Sequence, residues 1–141
     1  MKIKTAFTAA LAGASLLALA PGVSHATAYD TDTVAAQTTG GSARGPVTWY
    51  DAQGNGYASI TVADTYAPDN ACVKLEVRRR FQSGAVQSWV NVGTVCNGRS
   101  WTWNNPIGPN GNDGVRVLDV KVTRLGGYNN SDVYSVSPGG A

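Results

Sequence analysis

No window of this chain carries the three-to-four-residue apolar spacing of an amphipathic helix. Short runs rich in Val, Ile, Thr, Tyr and Trp alternate instead with clusters of Gly, Asn, Asp and Pro. The runs are 47–50, 57–63, 71–81, 86–96, 100–103, 115–124 and 133–136. The breaks between them include Gln53-Gly54-Asn55-Gly56, Pro68-Asp69-Asn70, Ser83-Gly84, Asn97-Gly98 and the long loop from Asn104 to Gly114. Runs of this length, bounded this way, read as strands joined by turns. The expected fold is therefore all-β: a small antiparallel β-sandwich, or a short barrel, of about seven strands.

The N-terminus has a different texture. Lys2 and Lys4 precede an apolar stretch from Ala6 to Ala20, Pro21-Gly22 breaks it, and Ser24-His25-Ala26 places small residues at −3 and −1. This is the grammar of a secretory signal peptide over residues 1–26. Its apolar core falls short of the roughly 20 residues that span a bilayer. Cleavage after Ala26 fits, and Ala26-Thr27-Ala28 allows it after Ala28. The mature chain is thus expected to be secreted, extracellular and not inserted in a membrane. Residues 27–46, poor in large apolar side chains, read as a flexible arm contributing at most one edge strand. Residues 47–141 form a single β domain. The mature chain of about 115 residues is long enough to bury roughly two-thirds of its unfolded surface.

Loss of the leader changes the charge. Without Lys2 and Lys4 the mature chain has nine basic and nine acidic residues. A general nucleic-acid binder needs excess positive charge to displace counterions, so nucleic acid is not an expected partner.

Export also sets the redox environment. Cys72 and Cys96, in an oxidising compartment, read as one disulfide. Val73, Leu75, Val77, Arg79 and Phe81 share one face of the first strand of this hairpin, and Cys72, Lys74, Glu76, Arg78 and Arg80 share the other. A two-residue Ser83-Gly84 turn pairing Gln82 with Ala85 sets Phe81 against Val86, Val77 against Val90 and Leu75 against Val92. Cys72 then falls one residue short of Cys96, and a β-bulge at Gly93 brings them together. The same register places Arg78 against Trp89 on the outer face, while Arg79 points to the core side near the turn. In 115–124 the apolar parity shifts near Val117, which calls for a second bulge or for cover on both faces.

The chemistry expected of the domain is mostly negative. The single histidine, His25, lies in the leader, so the mature chain has no Ser-His-Asp or Cys-His nucleophile and no histidine ligand for zinc. Glu76 lies mid-strand among Lys74, Arg78 and Arg80 and reads as a paired surface charge. The aspartates fall singly, mostly in turns. Asn110 to Gly114 is an Asn/Gly turn without the acidic spacing of a calcium loop. No enzyme activity, metal or cofactor is expected.

The aromatics say more. Trp101 and Trp103 are two apart and share a face of one strand, flanked by Asn-rich segments. They are either core residues or a platform on which a sugar ring stacks, with Trp49 or Tyr50 assisting.

Val47-Thr48-Trp49-Tyr50, Tyr57 to Ala63, the Asp64-Thr65 turn and Cys72-Val73-Lys74-Leu75, set behind a leader and an Ala/Thr/Gly arm, resemble small secreted β-proteins of actinobacteria over about residues 45–125. Those proteins are mostly without an assigned function, so the likeness implies a fold and no site residues. In size and disulfide use the chain also resembles actinobacterial secreted enzyme inhibitors. It lacks the Trp-Arg-Tyr triplet and second disulfide of the small α-amylase inhibitors.

Three functions follow as expectations. The first is a non-catalytic binding module for an extracellular glycan or cell-surface ligand, using Trp101, Trp103 and Trp49. The second is an inhibitor of a secreted hydrolase that presents the Asn97–Ser100 loop, with Arg99 entering a protease pocket. The third is a structural or coat-type secreted protein. Expressed with its leader in a secreting host, the protein should appear in the medium with Thr27 or Tyr29 as its first residue. N-terminal sequencing that finds Met1 on the exported chain would contradict the leader assignment.

Overall fold

Inward-facing apolar residues at every second position are what the chain uses to build its core. The computed structural model describes residues 28–126 and 130–139. The expected leader of residues 1–26, with His25, and Tyr128 lie outside them. Eight strands are present: β1 (Asp30–Thr38), β2 (Gly41–Trp49), β3 (Gly56–Asp64), β4 (Cys72–Phe81), β5 (Val90–Cys96), β6 (Ser100–Ile107), β7 (Val115–Leu125) and β8 (Asn130–Val136). They form two four-stranded sheets, ordered β1-β2-β3-β6 and β5-β4-β7-β8, and every pairing is antiparallel. The architecture is an open sandwich and not a closed barrel. The helical content of the described residues is one 3₁₀ turn, Ala67–Asp69, and none of their helices is long and apolar enough to cross a membrane.

The core lies between the sheets. Val34, Val47, Trp49, Ile60 and Val62 of the first sheet meet Val73, Leu75, Leu118, Val120 and Val122 of the second, all essentially inaccessible. Trp49 is the largest of them, and its indole Nε1 donates to Asp32 Oδ2 at 3.1 Å. A buried indole whose N–H has a partner combines large apolar burial with no unsatisfied polar group. Truncating such a residue typically costs about 3–5 kcal/mol.

The expected flexible arm is corrected by β1 and β2. Residues 30–49 form a full hairpin, paired from Asp30↔Trp49 to Thr38↔Gly41. Val34, Ala36 and Ala43 within it are fully buried. Small side chains suffice on these inner positions because Trp49 and the Val- and Leu-rich strands opposite supply the volume. The domain therefore begins at β1, well before residue 47, and its described residues form eight strands, in keeping with the expectation of about seven.

β1 also closes one side of the sandwich. Gln37 N donates to Asp132 Oδ2 at 2.9 Å, and Ser137 N donates to Asp32 Oδ2 at 3.3 Å. The edge strand β1 is thus tied across to β8 and the residue that follows it, which covers an edge that would otherwise present free backbone donors.

The Cys72–Cys96 disulfide is present and joins paired residues of β4 and β5, with a Cα–Cα separation of 4.3 Å. The expected bulge is there too, displaced by one residue. Leu75 pairs with Gly93 and Glu76 with Asn91, so Val92 is the extra residue. The second bulge lies at Arg116, since Arg80 pairs with Val117 and Phe81 with Val115.

The hairpin tip differs from expectation. Phe81, not Gln82, stands opposite Ala85: Phe81 N donates to Ala85 O at 2.8 Å and Gly84 N to Phe81 O at 3.0 Å. Gln82 N instead donates to Gly114 O, and Ser83 N donates to Asp113 Oδ1. The tip is captured by the loop before β7. After an isolated Arg80↔Val86 bridge the chain leaves the ladder, and pairing resumes only at Val90.

Two outcomes follow. Replacing both Cys72 and Cys96 by Ser should lower unfolding free energy by about 3 kcal/mol, the loop-closure term for 24 residues, measured by urea titration under non-reducing conditions. Deleting residues 28–40 should abolish cooperative unfolding. A truncated protein that melts like the full chain would mean that β1 is dispensable.

Candidate functional site

Opposite the closed β1–β8 side, β5 and β6 are the unpaired edges of different sheets. The chain passes from one to the other through Asn97-Gly98. Both residues have positive φ, 59° and 69°, as a tight two-residue reversal demands and as Asn-Gly adopts at least cost. Arg99 N donates to Cys96 O at 3.2 Å and closes the turn. Asp64, nearly inaccessible at the end of β3, braces it: Gly98 N donates to Asp64 Oδ2 at 3.1 Å, and Asp64 N donates to Arg99 O at 2.9 Å. The disulfide anchors the other side at Cys96.

Beyond the turn the two edges are spanned by Trp101. Its ring lies against Gly93, where an added Cβ would sit 3.0 Å from Cζ3. Glycine is needed there for the close approach of the indole. Farther along, the edges part and leave a cleft of about 440 Å³, within the size range of small-ligand sites. Val90, Asn91 and Val92 form the β5 wall, and Trp103, Asn105 and Ile107 line the β6 side. Val77, Arg79 and Leu118 lie at the floor.

The expected site residues separate. Trp101 and Trp103 do share a face, pairing with Val62 and Ile60 of β3, so both point between the sheets. Since the sandwich is open there, Trp101 remains 43% exposed and Trp103 is half-buried against the core's rim. They are neither sealed core nor a flat outer platform. Trp49 is corrected: at 0% exposure it is unavailable to any ligand. Arg99 is exposed on the braced turn, away from the residues lining the cleft. Sequence reasoning did not find Asn91, Asn105, Gln87 or the bracing Asp64. A signal existed for Arg79 alone, as the one charge on the apolar face of its strand.

Arg79 is held at two points. Its Nε donates to Gln87 Oε1 at 3.2 Å and its Nη1 to Gly108 O at 2.6 Å. Gln87 is itself fixed, donating its backbone N–H to Arg79 O at 2.9 Å.

The remaining charge is assembled elsewhere, on the outer face of the second sheet. Asp119, 1% exposed, accepts from Arg78 Nε at 2.8 Å, Arg80 Nη2 at 2.9 Å and Ser135 Oγ at 2.7 Å. Glu76 pairs with Lys121 at 2.9 Å and Lys74 at 3.3 Å. The Trp89 ring receives Arg78 at 4.4 Å, as the register implied, and also Lys121 at 4.3 Å. The carboxylates here are occupied by structural partners. Asp113 likewise accepts from Ser83 N and Oγ, and so serves the Asn110–Gly114 turn as a brace. Among the described residues no group of three His, Cys, Asp or Glu side chains is placed to hold a metal ion.

Burial opposes ionisation of Asp119, but hydrogen bonds from Ser135, Arg78 and Arg80 outweigh it and hold its carboxyl below the usual range. Glu76 is lowered in the same way: burial raises it, and Lys121 and Lys74 more than compensate. Groups depressed in the folded state stabilise it above their unfolded values of about 4. That contribution is lost as pH falls through the lower folded values. Urea midpoints of the wild type should therefore fall on acidification below about pH 4. Asp119→Asn should be less stable at neutral pH, with the gap narrowing in acid; a gap constant with pH would contradict this ion-pair account. Comparison of the chain with protein-family models, curated proteins and solved structures finds no match.

Proposed function

We propose that the protein is a secreted, non-catalytic binding module whose ligand is an extracellular glycan held in the cleft between β5 and β6. The observation that carries this reading is a half-buried indole and a neighbouring amide on one face of an open mouth. Trp103 supplies an apolar ring face and Asn105 an amide, and Trp101 stands over Gly93 at the narrow end of the same mouth. Asn105 Nδ2 is turned to Pro106 O at 2.9 Å, which leaves its carbonyl oxygen to accept from a hydroxyl. Sugars present apolar C–H faces and polar rims, and a site of apolar walls with a few placed polar groups suits them.

The non-catalytic part rests on the lining. Among the described residues that form the cleft none is a carboxylate, and glycoside hydrolysis generally needs two. The leader and the disulfide support export, since disulfides persist in oxidising compartments. A second reading, inhibition of a secreted hydrolase, is favoured by the Asn97–Ser100 turn. The Asp64 brace and the disulfide fix it, and a fixed loop loses little entropy on binding.

Intrinsic fluorescence with acrylamide quenching separates the two. Soluble oligosaccharides should protect the indoles from quencher, and Trp103→Ala should weaken glycan binding by about tenfold or more, as loss of about 1.4 kcal/mol would. Arg99→Ala should leave that binding unchanged. Protease inhibition abolished by Arg99→Ala, with no glycan protection of any indole, would support the inhibitor instead.

A further inference from the structure

The inner face of β4 runs Val73, Leu75, Val77, Arg79, Phe81, and among the described residues that line the cleft Arg79 is the one that carries a charge. A cation among apolar neighbours is costly unless something compensates it. Among the described residues none of the ion pairs involves Arg79. Its two fixed bonds go to neutral acceptors, Gln87 Oε1 and Gly108 O. They orient the guanidinium without neutralising it.

Among the described residues Nη2 has no hydrogen-bond partner, and unlike Arg80 Nε it is not sealed from solvent. It is therefore open to solvent, and the residue that carries it lines the cleft. The other arginines of the triplet contrast with it, since Arg78 and Arg80 both spend their charge on Asp119.

From this we infer that the cleft takes an acidic sugar, its carboxylate bound to Arg79 Nη2, with Trp103 against the ring. The inference rests on the proposed glycan reading and adds the ligand's charge class. Apolar walls lower the local dielectric and strengthen the attraction of a fixed cation for an anion. A guanidinium also matches a planar carboxylate better than an ammonium does. Because two of its nitrogens are already tied, Arg79 loses little side-chain freedom when the anion arrives.

The test is calorimetric titration of the full mature protein with trigalacturonate and with its methyl ester, which keeps the ring shapes and removes the charges. The acid should bind at least about tenfold more tightly, in keeping with a charge-assisted bond, and added salt should erode the advantage. Arg79→Gln should bind acid and ester alike. Arg79→Lys, which keeps the charge without the planar fork, should retain part of the preference. Unfolding midpoints of both variants report whether the Gln87 and Gly108 ties alone were lost. Equal affinity for acid and ester in the wild type overturns the acidic-sugar inference and leaves the glycan cleft standing. Binding of neither, nor of other uronate oligosaccharides, overturns both. A preference for acid that survives in a folded Arg79→Gln removes Arg79 from the site.

Discussion

Everything distinctive about this sandwich depends on one reversal of the chain, the crossing at Asn97-Gly98 between edge strands of opposite sheets. Two residues, Asn97 and Gly98, separate Cys96 of β5 from Arg99, whose carbonyl accepts the backbone N–H of Asp64 of the other sheet. The disulfide secures one end of the crossing to β4 and Asp64 secures the other to β3. Two edges pinned together at a single point have no ladder between them, so they part beyond it. The Trp101 ring over Gly93 fills the narrow part, and the cleft is what remains.

The rest of the fold makes that opening tolerable. The far side is closed by Asp32 and Asp132, each of which accepts a backbone N–H from across the sandwich. The outer face of the second sheet is tied by Asp119 and Glu76 to four cations, two of which also lie against Trp89. Exposed ion pairs are each worth little. Here both carboxylates are shared between strands, β4 with β7, and the arrangement secures the register that sets the cleft floor.

How much of this was legible in the sequence follows from what kind of interaction decides each part. The all-β class, the two faces of β4, the facing of Cys72 and Cys96, both bulges and the Arg78–Trp89 contact follow from the period of two and from matching apolar faces. Those are local rules. The β1–β2 hairpin was missed because its inner face uses Ala36 and Ala43, whose burial depends on the volume of Trp49 and of strands far along the chain. The hairpin tip was misplaced because Gln82 and Ser83 are captured by Gly114 and Asp113, partners some thirty residues away. At the site, the shared face of Trp101 and Trp103 could be read, but whether that face was covered could not. Coverage depends on which strands end up as edges, and that is set by sheet order. Trp49 obeyed the same alternation and ended in the middle of a sheet, fully buried.

The central claim is that the mouth between β5 and β6 is the ligand site. The most direct measurement is mapping of backbone amide shifts in the ¹⁵N-labelled protein titrated with an oligosaccharide that it binds. The account predicts that the largest changes fall on Asn91, Val92, Trp103 and Asn105, with the indole N–H of Trp103 moving and the amides of Asn97 to Ser100 still. Changes centred on the Asn97–Ser100 turn, or on the Trp89 face of the second sheet, would contradict it.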